Sequence, residues 1–276
     1  MEPSLLDPAE SRNALWDLIG TQLMLASLGG PSPVVGGKWQ IEGILGRGGF
    51  GLVCAARDAR LGRRVALKLL PHGPELVSLI REARSLALLE HPAIVTIFEV
   101  DEGVAHCGER SIPCGWIAMQ LVDGETLDGW VKRVRPRAAA AVEMIVAIGR
   151  ALAYIHAKGL LHRDLKPANI MIDRRGRPFL IDFGLAIAPL MTGAPPGWGA
   201  AAADALGERA TVAGAVRGTP SYMAPEAVEG RPSAASDQFS LAVLAWEVLF
   251  GAHPWRAAGD GAGAVGRARV EPWQRE

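Results

Sequence analysis

The segment His162–Asn169 reads HRDLKPAN and places three chemically active side chains close together along the chain. Asp164 can accept a proton from a hydroxyl nucleophile, and Lys166 can neutralise a transferring phosphoryl group. Asn169 can supply an oxygen ligand to a divalent cation. A possible base, a cation and a metal-binding oxygen are therefore grouped in one short segment.

A second acidic motif follows a predicted hairpin. The apolar runs Asn169–Ile172 and Phe179–Ile181 flank the turn-forming residues Arg174–Pro178, a pattern typical of two antiparallel strands. Directly after the second run, Asp182 begins the sequence DFG, and its carboxylate is the hard anionic ligand that Mg²⁺ prefers. The predicted hairpin is thus bordered by two residues that can bind a divalent cation.

A glycine-rich segment lies far upstream of these motifs. Gly46–Val53 reads GRGGFGLV, and its small residues would let backbone N–H groups approach phosphate oxygens closely. Glycine loops also form plain turns, so this motif by itself leaves both interpretations open. A strand pattern follows it where a dinucleotide-binding fingerprint requires a helix, which excludes that class of site.

A lysine and a glutamate follow the glycine-rich segment. Arg64–Leu70 alternates as a strand does and places Ala66 and Lys68 on one face. The next pattern, Glu75–Glu90, is helical, with Glu82 on its apolar stripe. A carboxylate there is costly to bury without a cation. A pair between Lys68 and Glu82 would satisfy both charges and direct the ammonium group towards a phosphate.

Together these motifs resemble those of eukaryotic-type protein kinases. The chain carries the family's glycine loop, VALK at Val65–Lys68, HRDLKPxN, DFG, and APE at Ala224–Glu226, in the family's order. The resemblance extends from Trp39 to Trp255. It implies an α+β fold with two lobes, a β-rich N-lobe with one regulatory helix and a mainly helical C-lobe.

The resemblance also implies ATP and Mg²⁺ as cofactors. Lys68 would bind the α and β phosphates and pair with Glu82, and Asp164 would be the catalytic base. Asn169 and Asp182 would hold Mg²⁺ on ATP. The catalytic residues implied in this way are Lys68, Glu82, Asp164 and Lys166.

The adenine of ATP would contact a separate set of residues. Met119 resembles the family's gatekeeper, and Gln120 and Val122 would supply the hinge backbone groups that hold the base. Ala66 and Met171 would enclose the ring. The other expected ATP-binding residues are Leu45, Gly46, Arg47, Gly48, Gly49, Phe50, Gly51 and Val53.

The substrate class is indicated at two positions. Lys166 in HRDLKPxN and Thr219 in GTPSYMAPE resemble serine/threonine kinases, not tyrosine kinases. The same sequence followed by SDQFS at Ser236–Ser240 is similar to bacterial kinases, especially those of myxobacteria. The expected partners are therefore proteins that offer a serine or threonine hydroxyl.

One feature indicates regulation. Arg163 beside Asp164 resembles kinases that need a phosphate on the activation loop, since a buried guanidinium there requires an anion. Thr211 lies eight residues before Thr219, where similar bacterial kinases autophosphorylate. An ordinary loop threonine is an equal alternative. Self-association with trans-autophosphorylation at Thr211 is thus a hypothesis from the sequence.

Composition excludes several function classes. The chain has 276 residues, with 29 Lys and Arg against 29 Asp and Glu, and zero net charge argues against binding nucleic acid or an anionic membrane. Its apolar runs are shorter than a bilayer span, so no membrane segment is expected. Three cysteines are too few for a disulfide-stapled secreted fold. The first residues lack the pattern of a signal peptide, and a cytoplasmic location is expected.

We expect three parts along the chain. Residues 1–37 form an N-terminal extension whose helix either packs on the main body or docks a partner. Residues 38–256 form the kinase domain, with an N-lobe over about 38–120 and a C-lobe over about 124–256. Residues 257–276 form a tail rich in Gly, Ala and Arg.

The C-lobe is expected to be incomplete. Family members continue after the central helix, here Ser236–Phe250, with three further helices, whereas only a short stretch follows Trp255. In the family a buried arginine near the last helix pairs with the APE glutamate, here Glu226. If Glu226 were buried without that partner, the cost would be about 3–5 kcal/mol.

Two function classes then compete. One is an active serine/threonine kinase, which the intact phosphoryl-transfer residues favour. The other is a truncated kinase-like protein that binds nucleotide or a partner without turnover, which the short C-lobe favours. Transfer of phosphate from ATP distinguishes the two classes.

His106, Cys107 and Cys114 are predicted to lie in a loop after Val100. Three soft ligands close together could contact zinc, but a fourth is missing and the spacing matches no common zinc finger. The expectation is therefore a loop with incidental cysteines.

Overall fold

The computed structural model describes most of the chain, in the ranges 8–48, 51–182 and 220–254. It contains two compact units. The N-terminal unit comprises Met1–Glu90 and Val95–Val122, and the C-terminal unit comprises His91–Ile94 and Asp123–Glu276. Thr211 and the tail at 257–276 lie outside the described residues.

Six antiparallel strands form a closed barrel in the N-terminal unit. They are β1 Val34–Val35, β2 Trp39–Gly48, β3 Gly51–Asp58, β4 Arg64–Pro71, β5 Ile97–Cys107 and β6 Arg110–Gln120. The barrel order is β1-β2-β3-β4-β6-β5, and it closes because the short strand β1 pairs with both β2 and β5. Two helices complete this unit, α1 Pro8–Ser27 and α2 Leu76–Leu86. The strand predicted over Arg64–Leu70 is confirmed as β4.

The register of β3 and β4 defines two faces of the sheet. Leu52 pairs with Leu69, and their side chains lie in the hydrophobic core of the unit. Val53 pairs with Lys68 and therefore lies with it on the opposite face, since cross-strand partners share a face. Each strand thus contributes alternate residues to the core and to the face that carries Lys68.

Helix α1 is part of that same core. Leu15 and Ile19 are fully buried among the core side chains of the barrel, which include Trp39 and Ile41. Gln22, which is 6% exposed, donates a hydrogen bond from Nε2 to the carbonyl oxygen of Pro31 at 2.7 Å. The helix therefore packs on the barrel through apolar burial, and Gln22 ties the helix to the segment that follows it.

The prediction of a loop around the cysteines is wrong. His106 and Cys107 end β5 and Cys114 lies within β6, so the two strands form a hairpin that turns at Gly108 with φ +62°. Cys107 and Cys114 are buried side chains of the barrel core. Among the described residues, no group of three or more His, Cys, Asp or Glu side chains could hold a metal ion.

The three thiols are expected to be unreactive in the native protein. Burial raises the pKa of Cys54 and Cys114 to about 12 and that of Cys107 to about 11, so little nucleophilic thiolate forms near neutral pH. Labelling with a chromogenic disulfide reagent at pH 8 should therefore be slow without denaturant and complete, at three thiols, in guanidinium. Fast stoichiometric labelling of the native chain would contradict this burial.

The C-terminal unit combines a small antiparallel sheet with helices. Its elements are β7 Gly124–Thr126, α3 Leu127–Val134, α4 Ala138–Ala157, β8 Ile170–Asp173, β9 Pro178–Leu180, α5 Pro225–Val228 and α6 Ala234–Phe250. Strands β8 and β9 confirm the predicted hairpin, and β7 pairs with β8. Helix α4 packs against α6 and β9. Ser233 caps α6 in a capping box with Ser236, and Gly251 ends the helix in the left-handed conformation.

Helix α4 is longer and more apolar than expected, because every apolar run in the sequence was expected to be shorter than a bilayer span. By length and composition its 20 residues could cross a membrane, with a mean hydropathy of 1.7 over the most apolar window. It is the one such helix among the described residues. Its inward residues, including Ile148, Leu152 and Ile155, are buried within the unit. This is weak evidence for a membrane span, because core helices meet the same test.

Candidate active site

Asp164 lies at the centre of a hydrogen-bonded cluster in the C-terminal unit. The Nζ atom of Lys166 donates to Asp164 Oδ2 at 2.8 Å, and Asn169 Nδ2 donates to the same oxygen at 2.9 Å. Asn169 Nδ2 also donates to the backbone oxygen of Asp164 at 2.8 Å. The side chain of Asp164 is 18% exposed, so the carboxylate is held firmly yet remains accessible.

Asn169 and Asp182 meet beside this cluster. Asn169 lies on a 3-10 turn, Pro167–Asn169, and is 6% exposed. Both of its side-chain hydrogen bonds are donated by Nδ2, so within the described ranges Oδ1 has no protein donor. The N–H of Ile181 donates to the backbone oxygen of Asn169 at 3.0 Å, which places Asp182 next to it. An amide oxygen and a carboxylate are ligands that fit Mg²⁺.

Two non-glycine residues of this site adopt left-handed backbone conformations. Arg163 has φ +63° and Asp182 has φ +49°. Such conformations are costly for residues with a Cβ atom and persist where surrounding contacts hold them. For Arg163 that contact is visible, since its N–H donates to Asp237 Oδ1 at 2.8 Å.

Asp237 on helix α6 supports the segment that precedes Asp164. It is 2% exposed and accepts a hydrogen bond from the N–H of His162 at 2.7 Å, in addition to the one from Arg163. Nε2 of His156 lies 2.9 Å from its Oδ2. Burial alone would raise the pKa of Asp237, but the hydrogen bonds from His156 and the two backbone N–H groups lower it overall. The carboxylate is thus ionised and anchors the backbone before Asp164.

Asp237 is a functional residue that the sequence reasoning missed. The signal for it was an acidic residue near the start of the largely apolar stretch Ser236–Phe250, which also contains Glu247. A carboxylate on such a helix is costly to bury unless donors meet it. Its donors lie about 75 positions earlier in the chain, so no local pattern indicated them.

His162 is fully buried and contributes to the shape of the segment. Burial lowers the pKa of its imidazole, although the nearby charges of Asp237, Asp164 and Asp182 oppose that shift. The N–H of Asp164 donates to the backbone oxygen of His162 at 2.9 Å. A neutral, enclosed imidazole therefore packs behind the turn that presents Asp164.

The residues before the APE motif are tied to α6. Ser240 Oγ donates to the backbone oxygen of Tyr222 at 2.7 Å, and the hydroxyl of Tyr222 donates to Glu247. Nε2 of His253 lies 3.1 Å from the backbone oxygen of Ser221. Tyr222 and Asp164 line the same small cavity. Helix α6 therefore contacts both segments that form this cavity.

The free-energy cost expected for a buried Glu226 without its arginine partner does not arise in the structure. It is half-buried and accepts a hydrogen bond from Ser236 Oγ at 2.7 Å. That hydrogen bond, with a smaller effect of the charge of Arg231, lowers the pKa of Glu226. Because this carboxylate is neither deeply buried nor alone, the estimate for an isolated buried charge does not apply to it.

Predicted ATP-binding residues share one face of the sheet in the N-terminal unit. Val53 pairs with Lys68, and Ala66 pairs with Met119, so all four side chains lie on the same face. Lys68 is 4% exposed, and Glu82 is half-buried on α2. The expected pair of Lys68 and Glu82 remains a prediction.

The glycine-rich segment forms the β2–β3 hairpin. Gly46 pairs with Val53, Arg47 with Leu52 and Gly48 with Gly51. A Cβ atom at Gly51 would lie 2.3 Å from the carbonyl oxygen of Leu69, so a side chain at this position would collide with β4. Gly49 and Phe50, at the hairpin tip, lie outside the described residues.

The other predicted ATP-binding residues lie on several elements. Leu45 on β2 is 54% exposed. The N–H of Gln120 donates to the carbonyl oxygen of Thr96 at 2.8 Å, and Val122 follows on the segment after β6. In the C-terminal unit, Met171 on β8 is half-buried and pairs with Thr126.

Residues 39–265 match the family model described as the protein kinase domain. The chain belongs to the protein kinase domain family. The match confirms the predicted α+β kinase fold, with its strand-rich N-lobe and mainly helical C-lobe. Residues beyond 254, where further helices were expected to be missing, lie outside the described ranges.

Serine/threonine kinases of bacteria are among the relatives of this kinase domain. The serine/threonine-protein kinase PknA of Mycobacterium tuberculosis (strain H37Ra) is 38% identical over 251 residues, 87% of this chain and 53% of PknA. A probable serine/threonine-protein kinase of Streptomyces coelicolor, SCO3848, is 36% identical over 247 residues, 86% of this chain and 34% of that protein. The serine/threonine-protein kinase PknB of Mycolicibacterium smegmatis is 36% identical over 242 residues, 85% of this chain and 36% of PknB.

The kinase domain therefore spans about half or less of the length of these curated relatives. Their names confirm the resemblance to eukaryotic-type serine/threonine kinases of bacteria. The narrower similarity to myxobacterial kinases stays a prediction.

Proposed function

We propose that this kinase domain transfers the γ-phosphoryl group of ATP to serine and threonine hydroxyls of proteins. The observation that carries the proposal is the cluster around Asp164, whose carboxylate is held by Lys166 and Asn169 and whose preceding backbone is anchored by Asp237. Phosphoryl transfer depends mainly on positioning and charge neutralisation, which such a preorganised cluster provides. The names of the bacterial relatives support the same reaction class.

Each member of the cluster has a distinct proposed role. Asp164 accepts the proton of the substrate hydroxyl, and Lys166 neutralises charge on the phosphoryl group. Oδ1 of Asn169 and the carboxylate of Asp182 hold Mg²⁺, which when bound neutralises charge on the phosphates of ATP. Lys166 also orients the carboxylate of Asp164 through its hydrogen bond.

The sheet of the N-terminal unit supplies the proposed contacts to ATP. Lys68 binds the α and β phosphates and pairs with Glu82 on α2. Val53 and Ala66, on the same face as Lys68, offer an apolar surface to the adenine, beside the gatekeeper Met119. Gln120, Val122 and Met171 stay proposed adenine contacts.

Protein substrates and self-modification are proposed on the sequence features of Lys166, Thr219 and Thr211. If Thr211 is an autophosphorylation site, incubation with ATP and Mg²⁺ should add phosphate to it, detectable by mass spectrometry of peptides covering residues 192–221. Phosphate on Thr211 that rises with protein concentration would support transfer between two copies. Peptides without phosphate would show that this threonine is an ordinary loop residue.

The reaction is tested by incubating the purified chain with radiolabelled ATP, Mg²⁺ and a generic basic protein. Acid hydrolysis of the product should release labelled phosphoserine or phosphothreonine, and chelation of Mg²⁺ should abolish the label. A rise in the thermal unfolding midpoint with ATP and Mg²⁺ would report nucleotide binding independently. Binding without any transfer would contradict the proposal and support a kinase-like protein without turnover.

A further inference from the structure

One contact between helix α1 and the glycine-rich hairpin is made by an arginine. Arg47 lies on β2, next to the last residue pair before the hairpin tip, and pairs with Leu52 on β3. Its guanidinium group lies over Gly20 of α1, because a methyl group placed on the Cα of Gly20 would be 3.6 Å from Arg47 Nη2. A Cβ atom at this distance would only touch the guanidinium, whereas a side chain that extends beyond Cβ would compete with it for this position on the helix surface.

The helix that receives Arg47 is held firmly on the barrel. Leu15 and Ile19 are fully buried in the core, one turn apart. Gln22 donates to Pro31, and its Oε1 lies 3.3 Å from where a Cβ atom of Gly108 would stand, at the β5–β6 turn. Apolar burial and a buried amide thus fix α1 on both sides of Gly20.

The contact between Arg47 and α1 lies on one of the two faces of the β2–β3 hairpin. Arg47 shares a face with Leu52, whose side chain lies in the core that α1 covers. Val53 lies on the opposite face with Lys68, where we propose that ATP binds. Arg47 therefore connects α1 to the back of the hairpin whose front is proposed to cover the phosphates.

We propose that Gly20 and Arg47 are positioning residues, through which α1 restrains the glycine-rich hairpin and sets the affinity for ATP. The inference rests on the proposed function. A hairpin rich in glycine samples many backbone conformations, and only a fraction of them can cover a nucleotide. The apparent dissociation constant rises as the competent fraction falls, so a restraint from the back of the hairpin strengthens binding.

Gly20→Leu tests the proposal because it separates stability from affinity. Leucine favours a helix interior more than glycine does, so the thermal midpoint should stay or rise. The new side chain would occupy the position of the guanidinium, and we expect KM for ATP to rise about fivefold with kcat within about twofold, the signature of lost binding. Thr21→Leu, at the exposed neighbouring position, is the matched control and should change neither constant.

The role of Arg47 is tested by a double-mutant cycle. Arg47→Ala should raise KM for ATP, and adding Gly20→Leu to it should have no further effect, because both changes remove one contact. Additive effects of the two changes, or an unchanged KM in an active Gly20→Leu protein, would overturn the proposal.

A readout without turnover separates this inference from the proposed function. Hydrogen exchange of the backbone amides in Gly46–Val53 should be faster in Gly20→Leu than in the wild type, and unchanged in Thr21→Leu. If exchange is faster in Gly20→Leu but the chain transfers no phosphate, α1 still restrains the hairpin and only the proposed kinase reaction is rejected. Unchanged exchange in Gly20→Leu would reject the link itself.

Discussion

Asp164→Asn is expected to lower the rate of phosphate transfer by roughly 10²–10⁴-fold, the range typical for loss of a general base. An amide cannot accept the proton of the substrate hydroxyl at neutral pH. The substitution also removes the negative charge that Lys166 Nζ contacts at 2.8 Å, so the ammonium group of Lys166 loses its orientation. The initial rate of radiolabelled phosphate transfer from ATP to a basic protein measures the effect.

Asp123→Asn provides the control for this variant. Asp123 is 72% exposed and pairs with Arg174, so its substitution tests the same chemical change away from the cluster. The control should retain wild-type activity. Because Asn is close in shape to Asp, the thermal midpoint of Asp164→Asn should remain near that of the wild type. Activity of Asp164→Asn within about threefold of the wild type would exclude a general base at this position.

Asp237→Ala is expected to lower the free energy of unfolding by roughly 2–6 kcal/mol. The substitution leaves the N–H groups of His162 and Arg163 without their acceptor, and each buried group without a partner costs about 1–3 kcal/mol. Such a loss is a large part of the stability of a typical domain. Urea denaturation at pH 7 measures it, with Gln238→Ala at an exposed position of the same helix as control.

Activity should also fall in Asp237→Ala, since the left-handed conformation of Arg163 loses its support. Measurements well below the unfolding midpoint separate this effect from unfolding. A variant with full activity and unchanged stability would show that Asp237 does not hold the segment. Asp237→Asn, which keeps one acceptor oxygen, should fall between Asp237→Ala and the wild type in stability.

The same carboxylate predicts a dependence of stability on pH. The pKa of Asp237 is lowered on folding from the ordinary value of 3.8, so at acid pH the unfolded chain binds the proton more readily than the native one. Its contribution is therefore fully present above the ordinary pKa and is lost as the pH falls towards the lowered value. Urea midpoints between pH 6 and pH 3 should converge for the wild type and Asp237→Asn. A difference that stays constant over this range would contradict the assignment.

Helix α1 and strand β1 show where sequence reasoning reached its limit in the N-terminal unit. A helix was expected within residues 1–37, and the structure has one at Pro8–Ser27. Nothing in the sequence indicated that the two residues of β1 would join β2 to β5 and close the barrel. A two-residue strand has no periodicity of its own, and its pairing with β5 joins Val34 to His106, far apart along the chain.

The burial of the cysteines is a second feature that the sequence did not predict. Cys107 and Cys114 were predicted to lie in a loop between Val100 and the apolar run that starts at Trp116. The structure has a hairpin there, with small and polar side chains on its outer positions. Burial in a strand depends on what covers the strand, here α1 and the rest of the barrel, and a single-sequence pattern carries no information about that cover.

Short motifs already indicated the proposed chemistry, because Asp164, Lys166 and Asn169 lie close together along the chain. Asp164, Lys166 and Asn169 all lie in one short segment just before the β8–β9 hairpin, so their spacing along the chain already implies that they are close in space. The contacts that hold these residues in place became evident from the fold. Asp237 reaches the backbone of His162 and Arg163 across about 75 residues, and the approach of α6 that makes this contact depends on packing of the whole unit.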